Sequence, residues 1–585
     1  MDSATPTPRQ LRTESCAFLF KGLSGATLSM PETLDDEILE YARAAEHFAA
    51  TTLAAASDTL ERGDRNELAR LLRQCAALGF FSCEAPEQFG GLDLPKIVAT
   101  MVGDRLCEPG GFGVAASAHA GIATLPLVFY GSEASKARYL PRLLSAEMIG
   151  AYCLSEPHSG SDAQAARTRA VPQPDGSYEL SGTKAWITNA GIADLFTIFA
   201  KVPRSEGDLL SAFLVERTWA GLTIAQEESK LGIKSSSTCQ VILDHVRVPA
   251  DNLLGKEGHG ARIAFNILNI GRYKLGSSAA FNCRKSLRLA ARYAAERKSF
   301  GQPLSVYGAI QEKLGRMVAH TYAAESVSFA VIGMIDEAIQ GVSGTGEKLK
   351  AVEQFLIETS ILKIIGSEVL DLVVDETLQI HGGIGFTTDL AVERHYRDSR
   401  INRIFEGTNE INRLLLCSTL LKRIGAGEFS VGDSTQKSGR LKKSFDSQPD
   451  ASSESVVEVL RGLALAIITG AGQSLEIGIK RDQEVLLRCA DILIASLGTA
   501  CATERAARLA RLGHPHAPIA DALNRAYLPD AVAHALTAAH ELAEILPGLE
   551  CLERLPRWFA ENRLGAIQNR RRAAECVMEA GGFPL

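Results

Sequence analysis

Hydrophobic residues recur at two different spacings along the chain, and the changes between them mark the predicted domains. From residue 34 to about 148 the apolar positions follow helical spacing, as in 66–72, where leucines share one face. An earlier helix begins within 35–44, because strong helix formers there follow acidic residues that favour a first turn. The glycine-rich stretch 88–92 separates two helices. We therefore predict an N-terminal α-helical domain over 1–148.

Short strand-like runs replace the helical pattern from residue 149 onward. Four of them are rich in β-branched or aromatic residues, namely 186–188, 195–199, 212–215 and 241–243. The Pro-Asp-Gly sequence at 174–176 is typical of a turn between two strands. This pattern predicts a central β-domain over 149–258.

Helical spacing returns at Ala261 and predicts a second α-helical domain over 259–422. The stretch 423–455 is dominated by Ser, Gly, Lys and Asp, a composition typical of a flexible linker. Beyond it, 456–585 is rich in Ala, Leu and Arg and predicts a C-terminal α-helical domain that stands apart from the others. The expected fold is therefore mainly α, with one central β-domain.

Composition narrows the functional classes. The 585 residues carry 62 Lys and Arg against 69 Asp and Glu, a net charge of -7, whereas a general nucleic-acid binder is more often basic. The 12 cysteines form no CxxC pair, so we expect neither a disulfide framework nor a metal site. No secretory signal is visible at the start, and the longest apolar run, 463–468, is far shorter than the ~20 residues of a spanning helix. We expect an intracellular protein that is not integral to a membrane.

Known catalytic patterns are scarce, but four segments combine polar side chains with glycine or an aromatic ring. The chain has no HExxH, GxSxG or P-loop pattern, and its glycines at 110–113 do not follow a strand as a Rossmann site requires. The four segments are 152–162, 186–189, 379–386 and 403–410. The first has small hydroxyls and glycines that can face a polar heterocycle, and the third has adjacent glycines that allow a phosphate to approach the backbone. In the second, Trp186 and Thr188 are expected on one face of a strand.

These four segments, in this order, resemble the acyl-CoA dehydrogenase family. The separation of 23 residues between Gly383 and Glu406 also fits, and the resemblance covers about 14–422. The linker, the C-terminal helical extension and residues 14–22 resemble the very-long-chain subgroup. The resemblance implies the family's fold, with an α-helical domain, a β-barrel-like domain and a four-helix α domain, and it implies FAD as the cofactor.

The resemblance also implies which residues bind FAD and the acyl-CoA substrate. Those expected around the flavin ring are Tyr152, Leu154, Ser155, Gly160, Ser161, Trp186, Ile187 and Thr188. Those expected at the pyrophosphate of a flavin in the neighbouring subunit are Arg297, Lys298, Ser299 and Phe300. Those expected at the ADP portion are Gln379, Gly382, Gly383, Thr408, Asn409 and Glu410. Those expected at acyl-CoA are Ser161, Asn269, Arg272, Phe405 and Gly407.

The implied reaction is α,β-dehydrogenation of an acyl-CoA thioester to a trans-2-enoyl-CoA, with Glu406 as the catalytic base. Some relatives carry the base just before the arginine matched by Arg272, but that position is Gly271 here, which cannot take a proton. A structural alternative is that Glu406 caps a helix or pairs with Arg403. His381 is expected to pack rather than to catalyse, and Arg297 could instead be a solvated helix charge.

Substrate length and surroundings are less fixed by the sequence. Gly113 and Ser117, four apart on a helix, are expected to leave an acyl tunnel open and so to favour long chains, roughly C12 and above. The cations of 425–475 (Lys437, Arg440, Lys442 and Lys443), with the apolar run 463–468, suggest peripheral contact with an anionic membrane, against a solvated tail as the plain alternative.

Partners and competing functions follow from the resemblance alone. We expect a homodimer in a bacterial cytoplasm, more so than in a mitochondrial matrix, with an electron-transfer flavoprotein as electron acceptor and a role in fatty acid β-oxidation. Gly308 stands where some short-chain relatives have a glutamine that contacts the flavin. The very-long-chain subgroup also has glycine at this position. The alternatives are an acyl-CoA oxidase, and a flavoprotein scaffold or assembly factor with little turnover.

Overall fold

A computed structural model of the chain describes residues 15–24, 28–107, 110–429, 452–474, 481–546, 558 and 564–585. The α-helices before the sheet are Ala17–Phe20, Asp36–Phe48, Ala54–Glu61, Arg65–Ala77, Lys96–Arg105, Gly110–Ser117, Leu125–Tyr130 and Glu133–Leu144. Those after it are Gly260–Glu296, Gly308–Gln340, Thr345–Gln354, Leu356–His381, Ala391–Ser399, Asn409–Gly425, Ser453–Ser474, Gln483–Arg511, Ala517–Ala543 and Ala566–Ala580. The helix predicted at 66–72 begins after Asp64, whose carboxylate accepts the N–H groups of Asn66 and Glu67 at 3.0 Å each.

The strands form one mixed sheet and a small hairpin. Eight strands make the sheet: β1 (Gly150–Cys153), β2 (Arg169–Pro172), β3 (Tyr178–Thr188), β4 (Leu195–Val202), β5 (Leu209–Glu216), β6 (Leu222–Glu227), β7 (Thr238–Val248) and β8 (Leu253–Leu254). Their order is β6-β7-β3-β2-β4-β5-β8, and β1 pairs with β4 in parallel. The hairpin joins β9 (Lys298–Ser299) to β10 (Gln302–Pro303). This arrangement confirms the predicted fold class, mainly α with a central β-domain.

The described chain divides into two compact units, each with its own core. One unit holds 34–274 and 342–353, so the N-terminal helices and the sheet belong together. Its core joins Leu72 and Phe112 of the helices to Phe196 of the sheet, all fully buried. The helices and the sheet therefore share one core instead of forming two.

The other unit holds the described residues of 1–33, 275–341 and 354–585. Helix Gly308–Gln340 packs against Gln483–Arg511, Ala517–Ala543 and Ala566–Ala580 of the C-terminal extension. The extension is therefore part of this unit. This differs from the separate C-terminal domain that its composition predicts. The reason is that its helices bury apolar faces, such as Leu493 and Leu497, against the rest of the unit.

Only the two ends of the predicted linker, 423–429 and 452–455, lie within the described residues, and helix Ser453–Ser474 begins inside the second. Helix Asn409–Gly425 ends inside the first, and Phe429 then stacks on Phe20 with ring centroids 4.6 Å apart. Residues 430–451, with the four cations proposed to contact a membrane, lie outside the described residues.

Four described helical stretches would be long and apolar enough to cross a membrane: Gly110–Tyr130, Gly308–Gln340, Ser453–Gln473 and Gln483–Arg511. Between 50% and 83% of their most apolar windows is buried inside the protein. In the run 463–468, Leu463, Ala464, Ile467 and Ile468 are all buried. Most of that run therefore serves the core and offers little apolar surface for peripheral membrane contact.

A buried histidine joins a helix to the sheet. The His119 ring is fully buried; its Nδ1 accepts the N–H of Gly150 at 3.0 Å, and its Nε2 donates to the Leu143 carbonyl at 2.9 Å. This pattern fixes the neutral tautomer with the proton on Nε2, because an N–H can only donate and a carbonyl can only accept. Burial lowers the pKa of His119 to about 4. Protonation would place a second proton against the Gly150 N–H.

We expect His119 to weaken the fold on the acid side. Its pKa is lower folded than unfolded, so the unfolded chain binds the proton first and stability is lost as the pH falls from about 6.5 to about 4. The full loss is roughly 3 kcal/mol. The measurement is the thermal midpoint against pH for wild type and His119→Gln, which cannot titrate. An equal loss of midpoint in the variant would contradict the assignment to His119.

Candidate active site

The first set of expected cofactor residues lies at the end of β1 and in the loop after it. The Tyr152 ring is 8% exposed and packs edge-on against Phe199, with centroids 5.0 Å apart, and Leu154 is buried beside it. Ser155 is half-buried, whereas Gly160 and Ser161 are exposed. The small residues Gly160 and Ser161 are therefore the solvent-exposed part of this loop, and the large residues Tyr152 and Leu154 are buried and support it.

A buried ion pair holds this loop in place. The Lys184 ammonium on β3 donates to the Glu156 carboxylate at 2.6 Å and to the Leu154 carbonyl at 3.3 Å, and both charged side chains are almost fully buried. The same carboxylate accepts the backbone N–H groups of Arg167 and Thr168. Burial alone would raise the pKa of Glu156, but the Lys184 charge and these hydrogen bonds hold it below its usual value.

Trp186 lies on a β-bulge. The pairing of β3 with β7 shifts register between Lys184 and Ile187, and Trp186 has a left-handed φ of 56°. Its indole is 58% exposed, Ile187 is buried, and Thr188 is half-buried. Trp186 and Thr188 are thus both more exposed than Ile187 between them. The cost of the strained backbone at Trp186 is about 1–3 kcal/mol, so the surrounding contacts must hold it in place.

The expected substrate arginine is fixed by its own helix. In Gly260–Glu296, Arg272 is 3% exposed and donates to the Asn269 amide oxygen at 2.6 Å. Two residues on, Lys274 pairs with the buried Glu84, which also pairs with Lys96 at 3.0 Å. Burial alone would raise the pKa of Glu84, but the two ammonium groups lower it to about 2. Glu84 therefore ties the helix of Arg272 and Asn269 to the N-terminal helices.

Gly113 and Ser117 do not form the open face that their spacing suggested. A Cβ on Gly113 would lie 2.5 Å from the Cα of Cys107, so the absence of a side chain here is required by helix packing. Ser117 is exposed. The structure therefore removes the argument that these two positions widen an acyl tunnel.

The expected pyrophosphate residues lie on the β9–β10 hairpin of the other unit. Arg297 is exposed, and Phe300, at a left-handed φ of 49°, is 98% exposed. Ser299 is half-buried, and its carbonyl accepts the Tyr307 hydroxyl at 2.6 Å. The hairpin thus presents an arginine and an aromatic ring to the outside.

The segment 379–386 has an open backbone turn. Gln379, Gly382 and Gly383 are exposed, and Gly382 has a φ of 62°, a conformation that favours glycine. A Cβ on either glycine would meet no atom within 4 Å. His381 stacks on Tyr293 with centroids 4.2 Å apart and bonds the Thr377 carbonyl at 2.7 Å, as its predicted packing role requires.

Glu406 occupies a strained turn before helix Asn409–Gly425. Its φ is 57° and that of Gly407 is 83°. The side chain is half-buried, with its Oε2 shielded from solvent. The residue that caps the helix is Thr408, whose Oγ1 accepts the Ile411 N–H. Arg403 pairs with Asp371 at 2.8 Å.

Two buried side chains fix the backbone of this turn. The Lys363 ammonium, fully buried, donates to the Gly407 carbonyl at 2.8 Å and to the Asn409 amide oxygen at 2.7 Å. The Asn412 amide, also fully buried, donates to the carbonyls of Gly407 at 2.8 Å and Thr408 at 3.1 Å. The turn is thus held by donors on its carbonyls.

The remaining predicted residues of the turn differ in exposure. Asn409 is 3% exposed and engaged by Lys363 and Glu368, so its side chain is not open to a cofactor. Glu410 is exposed, and hydrogen bonds from its own backbone N–H and the Thr408 hydroxyl lower its pKa. Phe405 is half-buried.

Sequence reasoning missed the supporting residues, because it assigns no role to Glu156, Lys184, Lys363 or Asn412. The signal was present for Lys363, a single cation inside the apolar run 361–365. Among the described residues no cluster of histidine, cysteine or acidic side chains could hold a metal, and the eleven described cysteines are buried thiols outside any disulfide.

Comparison with known proteins identifies the class. Models of the N-terminal, middle and C-terminal domains of acyl-CoA dehydrogenase match residues 35–147, 151–246 and 258–421. The chain belongs to the acyl-CoA dehydrogenase family.

Individual relatives agree along most of the chain. A probable acyl-CoA dehydrogenase of Bacillus subtilis is 38% identical over 97% of this chain and 98% of its own. The very long-chain specific acyl-CoA dehydrogenase of Macaca fascicularis is 38% identical over 71% of this chain and 63% of its own length. An acyl-CoA dehydrogenase of Bacillus anthracis, solved in complex with FAD, is 34% identical and superposes with a TM-score of 0.93 over 98% of this chain and 100% of its own.

Proposed function

We propose that this protein is an FAD-dependent acyl-CoA dehydrogenase in which Glu406 is the catalytic base. The observation that carries the proposal is the Glu406 turn, whose strained left-handed backbone is held by buried Lys363 and Asn412. Such strain costs about 1–3 kcal/mol, persists only where surrounding contacts hold it, and is frequent at active sites. Family membership supports the reaction class, and the geometry of the turn supports the choice of Glu406 as the base.

The residues present fit a bound FAD. Exposed aromatic rings at Trp186 and Phe300 suit a flat heterocycle or a neighbouring group, and the open glycines 382–383 suit a phosphate. We propose that FAD is held by most of the predicted cofactor residues, and that Asn409 is not among them. The residues proposed to hold it are Tyr152, Leu154, Ser155, Gly160, Ser161, Trp186, Ile187, Thr188, Arg297, Ser299, Phe300, Gln379, Gly382, Gly383, Thr408 and Glu410. When bound, FAD supplies the oxidant for removal of two electrons from the substrate.

The protein's own residues perform proton transfer and binding. Glu406 takes the α-proton of the acyl thioester on its carboxylate, and its backbone N–H donates to the thioester oxygen as negative charge develops there. One such donor is worth about 3–4 kcal/mol in the transition state. Arg272, held by Asn269, and Ser161 contact the acyl-CoA, and Phe405 and Gly407 flank the reacting end.

We propose a long-chain acyl-CoA as the substrate in fatty acid β-oxidation. The support is the likeness to very long-chain specific relatives, one of them human and 42% identical over 58% of this chain. Each added buried methylene contributes up to about 0.8 kcal/mol to binding. We expect palmitoyl-CoA to give a higher kcat/KM than hexanoyl-CoA, measured as anaerobic bleaching of the flavin. A higher value for hexanoyl-CoA would remove the long-chain assignment and leave the reaction class intact.

The electron acceptor decides between the dehydrogenase and an oxidase. We propose an electron-transfer flavoprotein as acceptor and a homodimer, cytoplasmic in a bacterium, as the assembly. The test adds substrate aerobically, with and without that flavoprotein, and measures hydrogen peroxide. Peroxide formed at the rate of substrate oxidation would establish an oxidase. If none of the acyl-CoA substrates bleached the flavin, the result would point to a scaffold.

A further inference from the structure

A charged side chain of the C-terminal extension reaches helix Asn409–Gly425. Asp491, on helix Gln483–Arg511, is 7% exposed, and its Oδ1 accepts the Nε–H of Arg413 at 2.8 Å. The other edge of the Arg413 guanidinium donates to Glu368 through both terminal nitrogens, at 2.6 and 2.9 Å. Arg413 is thus fixed between two carboxylates on two different helices, and a planar guanidinium bound on both edges has a single orientation.

The same contacts continue to the Glu406 turn. Glu368 accepts the side-chain amide of Asn409 at 3.0 Å, and the Asn409 oxygen accepts Lys363 at 2.7 Å. The Lys363 ammonium also donates to the Gly407 carbonyl, next to Glu406. The sequence of contacts therefore runs from the extension to the turn through hydrogen bonds of ordinary length, most of them charge-assisted.

Glu368 shows why the extension matters to this network. Its side chain is 40% exposed, so without a fixed partner it would exchange its contacts for water. Arg413 is the group that fixes Glu368, and Asp491 is the group that fixes the remaining edge of Arg413. Two basic side chains of the extension also face Asp491: His534 at 3.6 Å and Arg488 at 3.9 Å.

We propose that Asp491 is a positioning residue for the reaction, acting from the C-terminal extension through Arg413, Glu368 and Asn409 on the backbone that carries Glu406. This inference rests on the proposed function of Glu406. It gives the extension a role in catalysis in addition to its packing, and it assigns that role to one carboxylate.

The experiment compares full-length holoenzymes carrying Asp491→Ala, Asp491→Asn and Glu406→Gln. The matched control is Asp521→Asn, which removes an exposed carboxylate paired with Arg525 at 2.8 Å on another extension helix. For each we measure kcat and KM per bound FAD, the thermal midpoint, and the kinetic isotope effect with acyl-CoA deuterated at the α-carbon. Loss of global stability alone changes the midpoint and the yield but not the isotope effect of the folded enzyme.

We expect Asp491→Ala to lower kcat about tenfold with KM nearly unchanged, and to increase the α-deuterium isotope effect, because misplacing the base slows proton abstraction. Asp491→Asn, which keeps the shape and an acceptor oxygen, should lose about threefold and decides the matter if the alanine variant does not fold. If both variants match Asp521→Asn in kcat and isotope effect, the inference is overturned while Glu406 stands. If Glu406→Gln itself remains active, the proposed function is overturned and the inference with it.

Discussion

Replacing Glu406 with glutamine should lower the rate of flavin bleaching by acyl-CoA by about 10²–10⁴-fold, the usual contribution of a general base. The amide keeps the shape of the side chain but cannot accept the α-proton. The turn itself should persist, because Lys363 and Asn412 hold its backbone by donating hydrogen bonds to the Gly407 carbonyl. Bound FAD and the thermal midpoint should therefore equal those of wild type, and the loss should appear in kcat.

A matched control removes the same charge elsewhere in the same unit. Glu393→Gln breaks an ion pair with Arg397, 2.6 Å away on the same helix, and should change kcat by less than about twofold. If both variants lose activity equally, the effect belongs to net charge or folding. If neither loses activity, the base is another residue.

The second large effect is expected at the buried pair beneath the Tyr152 loop. Lys184→Met keeps most of the side-chain volume but leaves the Glu156 carboxylate buried without its cation, which typically costs about 3–5 kcal/mol. Because Lys184 also holds the Leu154 carbonyl, the loop expected at the flavin should lose its position. We expect a lower thermal midpoint and, in the folded fraction, a lower ratio of FAD to protein.

Two further variants identify the cause. Lys184→Met combined with Glu156→Gln removes both charges and should recover part of the lost stability, since the uncompensated carboxylate is gone. Arg169→Met in the same sheet breaks an exposed pair with Asp208 at 3.3 Å and should cost no more than about 1 kcal/mol. A Lys184→Met protein with normal stability and a full complement of FAD would show that the pair does not support the loop.

The ion pairs Lys184–Glu156 and Lys274–Glu84 share one physical feature with the network that joins Asp491 to Lys363. Each places a charged group in the interior, where it is tolerated only with partners, and each lies directly behind a segment expected to face cofactor or substrate. Lys184 supports 154–156, Glu84 supports the helix of Arg272, and Lys363 supports the Glu406 turn. A buried charge with a fixed partner resists displacement, so these segments are held more firmly than surface loops usually are.

The local segments that carry the chemistry could be predicted from the sequence because their signals are local. Helical spacing, strand runs and turn residues depend on neighbours in the chain, and they correctly placed helix Arg65–Ala77, strand β4 and the change from helices to strands that begins with β1 at Gly150. The motif around Glu406 likewise named the residue before any contact was known, and its turn has the left-handed backbone that a glycine at 407 permits.

Only the tertiary structure decided which distant residues support those segments. Partners such as Glu156 and Lys184, or Arg413 and Asp491, are far apart in the chain, and no local pattern specifies a contact between them. The same holds for Gly113, whose missing side chain looked like free space in the sequence but is required by close packing on Cys107. The sequence by itself determined the helices, the strands and the residues proposed for the chemistry, because periodicity and motif are properties of a short segment. Burial and pairing are properties of the folded chain, which therefore alone decided how firmly each of those residues is held.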